Sequence, residues 1–197
     1  LSVYDESVLM AILHLVGRYK SLTFETTRNE LCTIMGVTRG VDTYKAAWES
    51  LKRLTGTIIN LEVWSSGKSP GKKKNAKLQM INPILSGAKI NNETGKIMIS
   101  VNEYFVTMYG DGLFTSIDMD LRNSLKGDIS KALYRFVTGQ KNRDYQCHIL
   151  TISKAINVNT DMEMKEIRKR FRKGFQELKK NKVIKQYRIL KNDVVNI

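Results

Sequence analysis

Cysteine and histidine are scarce, with two of each in 197 residues. Cys32 and Cys147 lie far apart and belong to no Cys-x-x-Cys or Cys/His cluster. That excludes a disulfide framework and a structural zinc site, and both are read as buried, reduced thiols. His14 and His148 form no His-x-His pair, so a metal-dependent nicking centre has no ligands. No Ser-His-Asp order carries a local motif either. Gly67-Lys68-Ser69 has the form of a phosphate-loop end, but Glu62 holds the position of that loop's first glycine and Pro70 stands where its helix would start. No apolar run reaches transmembrane length and no signal peptide is visible, which points to a cytoplasmic protein with no membrane partner. The chain opens at Leu1 rather than Met, as a fragment would. No catalytic residue, metal ligand or cofactor is expected, and the chain is read as a binding protein rather than an enzyme.

Acids are also in short supply. Nineteen Asp and Glu face 33 Lys and Arg, for a net charge of +14. Such an excess points to a polyanionic partner, nucleic acid before an anionic membrane. The paired Asp118 and Asp120, and the group Asp161, Glu163 and Glu166, read as helix N-terminal acids favoured by the dipole.

Positive charge is densest in KEIRKRFRKGFQELKK, Lys165 to Lys180, with eight basic residues against two Glu. Ile167, Phe171, Phe175 and Leu178 recur at helical spacing and form an apolar seam. Lys165, Arg168, Lys169, Arg172 and Lys173 fall largely on the opposite side. A membrane-surface helix would stand alone or at a terminus with its apolar side available for insertion. Here that seam is needed as core by its own domain, so the basic back is displayed as a recognition helix displays its own. Double-stranded DNA is the expected partner.

The rest of the chain supplies the frame. Asp5 to Gly17 reads as a helix capped by Asp5 and ended by Gly17. Thr26 or Thr27 caps a short helix closed by Gly36, with Glu30 completing a capping box. Tyr44, Ala47, Trp48, Leu51 and Leu54 mark a third helix ended by Gly56. Thr57–Trp64 reads as a strand, SSGKSPGKKKNAK as a basic loop, and KLQMINPIL as a second strand. Helix, helix, helix, strand, loop, strand is the order of a winged helix-turn-helix, with the lysine loop as its wing. The scheme recurs in the second half. Ile129–Val137 gives a first helix, Leu150–Val158 a short helix plus turn, the basic helix is third, and KVIKQYRIL with DVVNI gives two strands. Leu13 matches Leu133, Val37 matches Val158 and Leu54 matches Leu178, at nearly constant offset. Between the halves, IMISVNEYFVTMYGDG and the residues up to about Arg122 read as a strand and a connecting helix. The expected architecture is α+β, two tandem winged helix-turn-helix domains covering residues 1–115 and 116–197.

YKAAWESLKRLTGTIINLEVW, following a short helix that ends in MGV, resembles the first winged domain of TrfA-type plasmid replication initiators. LKGDISKALYRFVTGQ is similar to the opening helix of their second winged domain. The resemblance implies binding to tandem direct repeats (iterons) at a plasmid origin, initiation of plasmid replication, and recruitment of host replication initiation proteins and helicase. Homodimer or monomer stays open, and a winged-helix transcriptional repressor is the alternative. Expected DNA contacts in the first domain are Arg39, Thr43, Lys45 and Lys52, with Lys72, Lys73 and Lys74 of the wing on the backbone. In the second they are Lys165, Arg168, Lys169, Arg172 and Lys173, where Arg suits guanine and Lys suits phosphate.

Overall fold

The computed structural model describes residues 1–64, 76–110, 115–140 and 145–197. Two compact units divide the chain, Val3–Leu113 and Phe114–Ile197.

The first unit opens with α1, Val3–Tyr19, which runs through Gly17 rather than ending there. Asp5 does not cap it either. Its carboxylate is buried, accepting hydrogen bonds from Ser50 and, at 2.7 Å, from Arg53 of the third helix. A buried acid needs such partners, and one helical turn separates those two donors so that both reach it. β1, Thr23–Thr27, alternates exposed and buried residues and was not foreseen as a strand. Thr27 then caps α2, Arg28–Met35, accepting from the Glu30 amide at 3.1 Å. The Glu30 carboxylate takes the Thr26 hydroxyl at 2.8 Å and the Arg18 guanidinium at 2.9 Å, in place of the reciprocal bond of a full capping box. Gly36, at φ 66°, closes α2, because a left-handed residue there lets the Val37 amide turn back to the Cys32 carbonyl. α3, Val41–Gly56, follows, then β2, Ile58–Trp64, and β3, Ala76–Pro83, paired antiparallel.

KLQMINPIL is not one strand. β3 ends at Pro83, and Leu85, fully buried, begins β4, Leu85–Ile90, in a different sheet. Proline cannot donate to a continued ladder, so the chain changes partner there. β5, Lys96–Val101, is the centre of that sheet, in the order β1-β5-β4. α4, Glu103–Gly110, ends the described part of this unit. Val8, Ile12 and Leu15 of α1, Leu31 and Met35 of α2, Leu51 and Leu54 of α3, and Ile97 and Ile99 of β5 form the core. Each large side chain of this kind, fully buried, contributes about 1.5–3 kcal/mol of transfer free energy.

The second unit begins with α5, Met119–Ser124, and α6, Asp128–Thr138; between β5 and α6, where one connecting helix was expected, the described residues form two, α4 and α5. β6, Gln146–His148, leads into α7, Ile149–Ala155, and then α8, Met164–Lys180. Of KVIKQYRIL only β7, Arg188–Ile189, is strand, and β8, Val194–Asn196, lies between β6 and β7 in the sheet. Cys32 is buried as expected, but Cys147, in this outer β6 strand, is partly exposed; both are free thiols.

The two helix-turn segments match in detail. Asn157, 121 positions after Gly36, has φ 56°, and the Val158 amide bonds the Ser153 carbonyl at 2.8 Å as Val37 bonds Cys32 at 3.0 Å. The paired α1 and α3 of the first unit are joined by Asp5 with Ser50 and Arg53. In the second unit the charge sits on the other helix: Glu177 of α8 takes the Ser130 hydroxyl and the Lys126 and Gly127 amides at the start of α6. Gly127 has no side chain to cap α6, and Glu177 does so from α8.

Candidate nucleic-acid interface

On α8 the apolar seam is wholly internal. Ile167, Phe171, Phe175 and Leu178 are fully buried, with Tyr187 stacked on Phe175 at 5.2 Å between ring centres. Gly174 lies in the same seam because α6 approaches too closely for a side chain. The seam fixes the rotation of the helix, so Lys165, Lys169, Arg172 and Lys173 are all exposed. Lys165, Arg172 and Lys173 make no ion pair among the described residues, and Lys169 stands 3.9 Å from Glu166. In α8, whose 17 residues span about 25 Å, the basic stripe runs from Lys165 to Lys173, and exposed Gln176 separates it from Lys179 and Lys180.

Arg168 differs from its neighbours. It was expected on the free basic face, but its guanidinium forks onto the Asp193 carboxylate, Nε to Oδ1 at 2.5 Å and Nη2 to Oδ2 at 2.8 Å. The bidentate pair raises the Arg168 pKa further and holds the Asp193 carboxyl below its ordinary range, against the upward push of partial burial. Asp193 occupies the β7–β8 turn at φ 62°, a left-handed position that Asp tolerates better than most residues. Its carbonyl accepts the Ile149 amide at 2.8 Å and its amide donates to Leu190 at 3.1 Å. Sequence inspection passed over Asp193, although Lys191-Asn192-Asp193 between two short β-branched runs is a turn signal. His148, weighed in the sequence only as a metal ligand, instead caps α7, its Nδ1 accepting the Leu150 amide at 3.2 Å.

On α3 the expected residues are arranged less generously. Lys45 is exposed, but Lys52 pairs with Glu49 at 2.7 Å, Asp42 adds an acid to the first turn, and Arg53 is bound to Asp5. Thr43 is half-buried, and its carbonyl accepts the Tyr4 hydroxyl at 3.2 Å. Arg39, just ahead of α3, donates to the Thr33 hydroxyl at 2.9 Å. Tyr44 and Trp48 are half-buried, in keeping with packing rather than stacking roles. Lys72, Lys73 and Lys74 lie outside the described residues. Among the described residues no group of three or more His, Cys, Asp or Glu is arranged to hold a metal ion, and no helix is long and apolar enough to cross a membrane.

Residues 2–189 match the model of the family described as replication initiator protein A. The chain belongs to that family. As a replication initiator it is a DNA-binding protein of plasmid replication that acts at an origin. A comparison with curated proteins finds no match. Among solved structures, the chain is similar in fold to RctB domains 2–3, with a TM-score of 0.65 and 11% identity over 98% of this chain and 79% of that one. A selenomethionine derivative of the same two RctB domains aligns with a TM-score of 0.60 at 10% identity, covering 89% of this chain and 69% of that one. The Pi initiator protein, solved in complex with iteron DNA, aligns with a TM-score of 0.53 at 11% identity, covering 88% and 79%.

Proposed function

We propose that this initiator recognises direct-repeat (iteron) DNA in a sequence-specific manner through two tandem winged helix-turn-helix domains, residues 1–115 and 116–197, as TrfA-type initiators do. The observation that carries the reading is in the second unit. There, after α5, the order α6, β6, α7, α8, β7, β8 with β6-β8-β7 pairing is the order expected of a winged helix, and α8 turns a basic stripe from Lys165 to Lys173 to solvent. The repeated αL turn before α3 supports an equivalent role for the first unit, with the β2–β3 ribbon as its wing. In that unit β1 pairs with β5 rather than with the ribbon, a variation on the same plan. The fold shared with an initiator crystallised on iteron DNA is in keeping with this reading.

Lys45, Lys165, Lys169, Arg172 and Lys173 are the contacts this reading favours, with Arg39, Thr43, Lys52 and the lysines 72–74 as further candidates. Recruitment of host initiation proteins and helicase, and any homodimer, belong to later steps of the same proposal. Selection from random duplex DNA at near-physiological salt tests it. An asymmetric site of about two helical turns, recurring in direct repeats, is the expected product. A palindrome would instead identify a dimeric repressor, and no enrichment would mean that the positive charge binds DNA only non-specifically.

A further inference from the structure

We propose that Asp193 is a positioning residue which, through Arg168, sets the β7–β8 turn against α8, so that Lys191 and Asn192 at the turn's apex and the basic stripe of α8 form one preformed DNA-facing surface. The inference rests on the origin-binding reading above and adds a segment that reading does not use.

Three elements meet at this one residue. The carboxylate holds Arg168 of α8 by two hydrogen bonds, the carbonyl holds the first amide of α7, and the amide closes the turn onto Leu190. Leu190 in turn donates to Val194 at 2.9 Å, so the turn is hydrogen-bonded on both sides. β7 and β8 contribute only two and three residues, a ribbon too short to hold its own angle by strand pairing. The side-chain fork supplies what the ladder lacks. Lys191 and Asn192 are exposed beyond it, whereas the Asp193 side chain is only 13% exposed. Arg168 is thereby withdrawn from base reading: both prongs of its fork are already occupied by a carboxylate whose geometry matches them. Ordering the turn before DNA arrives removes an entropic cost from binding, which is how a residue that never touches the ligand raises affinity for it.

The test uses the full chain, the duplex recovered by selection and a scrambled duplex of equal length. Asp193→Asn keeps a residue that accepts the left-handed turn and removes the charge, and Arg168→Gln removes the fork from the other side. Each single variant is expected to lose about tenfold in affinity for the selected duplex with little change in the salt slope, and the double variant to be no worse than either. Lys191→Gln is expected to reduce the salt slope by about 0.9, the share of one neutralised phosphate. Amide exchange at Ile149 and Leu190 should quicken in Asp193→Asn while the thermal midpoint of the unit stays close to wild type. A slope reduced by about one in Arg168→Gln, with Asp193→Asn binding as well as wild type or better, would make Arg168 a DNA contact and overturn the positioning role. An unchanged slope in Lys191→Gln would remove the turn from the DNA. If the wild-type chain itself does not distinguish the two duplexes, the origin-binding reading falls, whatever exchange reports. If it does distinguish them and the variants match it, the positioning role falls alone.

Discussion

Gly17 and Gly174 are both helical glycines, and their surroundings give them opposite roles. A Cβ on Gly174 would stand 2.8 Å from Cδ1 of Leu133 and 3.3 Å from Cγ2 of Ile129, and Leu133 is fully buried. Alanine there gains about 1 kcal/mol of helix propensity but incurs about 1–3 kcal/mol of overpacking, so overpacking wins. Urea unfolding should find Gly174→Ala destabilised by up to about 2 kcal/mol. Gly17 is exposed inside α1 with no atom within 4 Å of a built Cβ, and Gly17→Ala should stabilise by about 0.5–1 kcal/mol. The same sign for both substitutions would show that α6 and α8 are not as close as the geometry requires. The sequence displays both glycines identically; only the neighbour across the helix pair separates them.

α6 depends on α8 for its N-terminus. Burial pushes the Glu177 carboxyl up, but hydrogen bonds from Ser130, Lys126 and Gly127 outweigh it, and the group titrates below the ordinary glutamate value. A carboxyl depressed in the folded state adds stability that is fully present above its unfolded value, about 4.3 for glutamate, and is lost as pH falls through the folded value. Thermal midpoints measured from pH 7 to pH 3 should therefore fall for the wild type. Glu177→Gln should start lower at pH 7 and lose less on acidification. A variant curve parallel to the wild type would show that the cap carries no linked proton. The α8 seam was legible in the sequence because spacing and packing coincide within one element. The cap was not, because Glu177 and the amides it serves are some fifty positions apart and only helix packing joins them. β1 escaped notice for the same reason, since its partner β5 lies far down the chain and its Thr-rich alternation is short.

Charge is divided unequally along the molecule. Residues 114–197 carry 19 Lys and Arg against 9 Asp and Glu, whereas residues 1–113 carry 14 against 10. On α3 the acids and the Asp5 contact offset much of the positive charge, while α8 has eight basic residues against two Glu. Salt dependence should therefore reside mainly in the second unit. Neutralising Lys165, Lys169, Arg172 and Lys173 to Gln should lower the slope of log K against log salt by about 0.9 for each phosphate that is no longer neutralised. Neutralising Lys45 and Lys52 should lower it by about half as much per residue, because Lys52 already faces Glu49. Equal reductions per residue would mean that the two third helices meet the phosphates alike.

By itself the sequence determined helices α1, α2, α3, α6, α7 and α8, the buried seam of α8, the Gly36 stop of α2, and the polyanionic character of the partner. Each follows from spacing, capping chemistry or net charge, which act over a few residues or over the whole composition. Tertiary structure alone decided that Asp5 is a buried partner rather than a cap, that β1 joins β5, that Glu177 caps α6, and that Arg168 is bound by Asp193 instead of standing free. Each of these depends on two groups distant along the chain arriving within hydrogen-bonding reach, a distance that residue order does not encode until the core has packed.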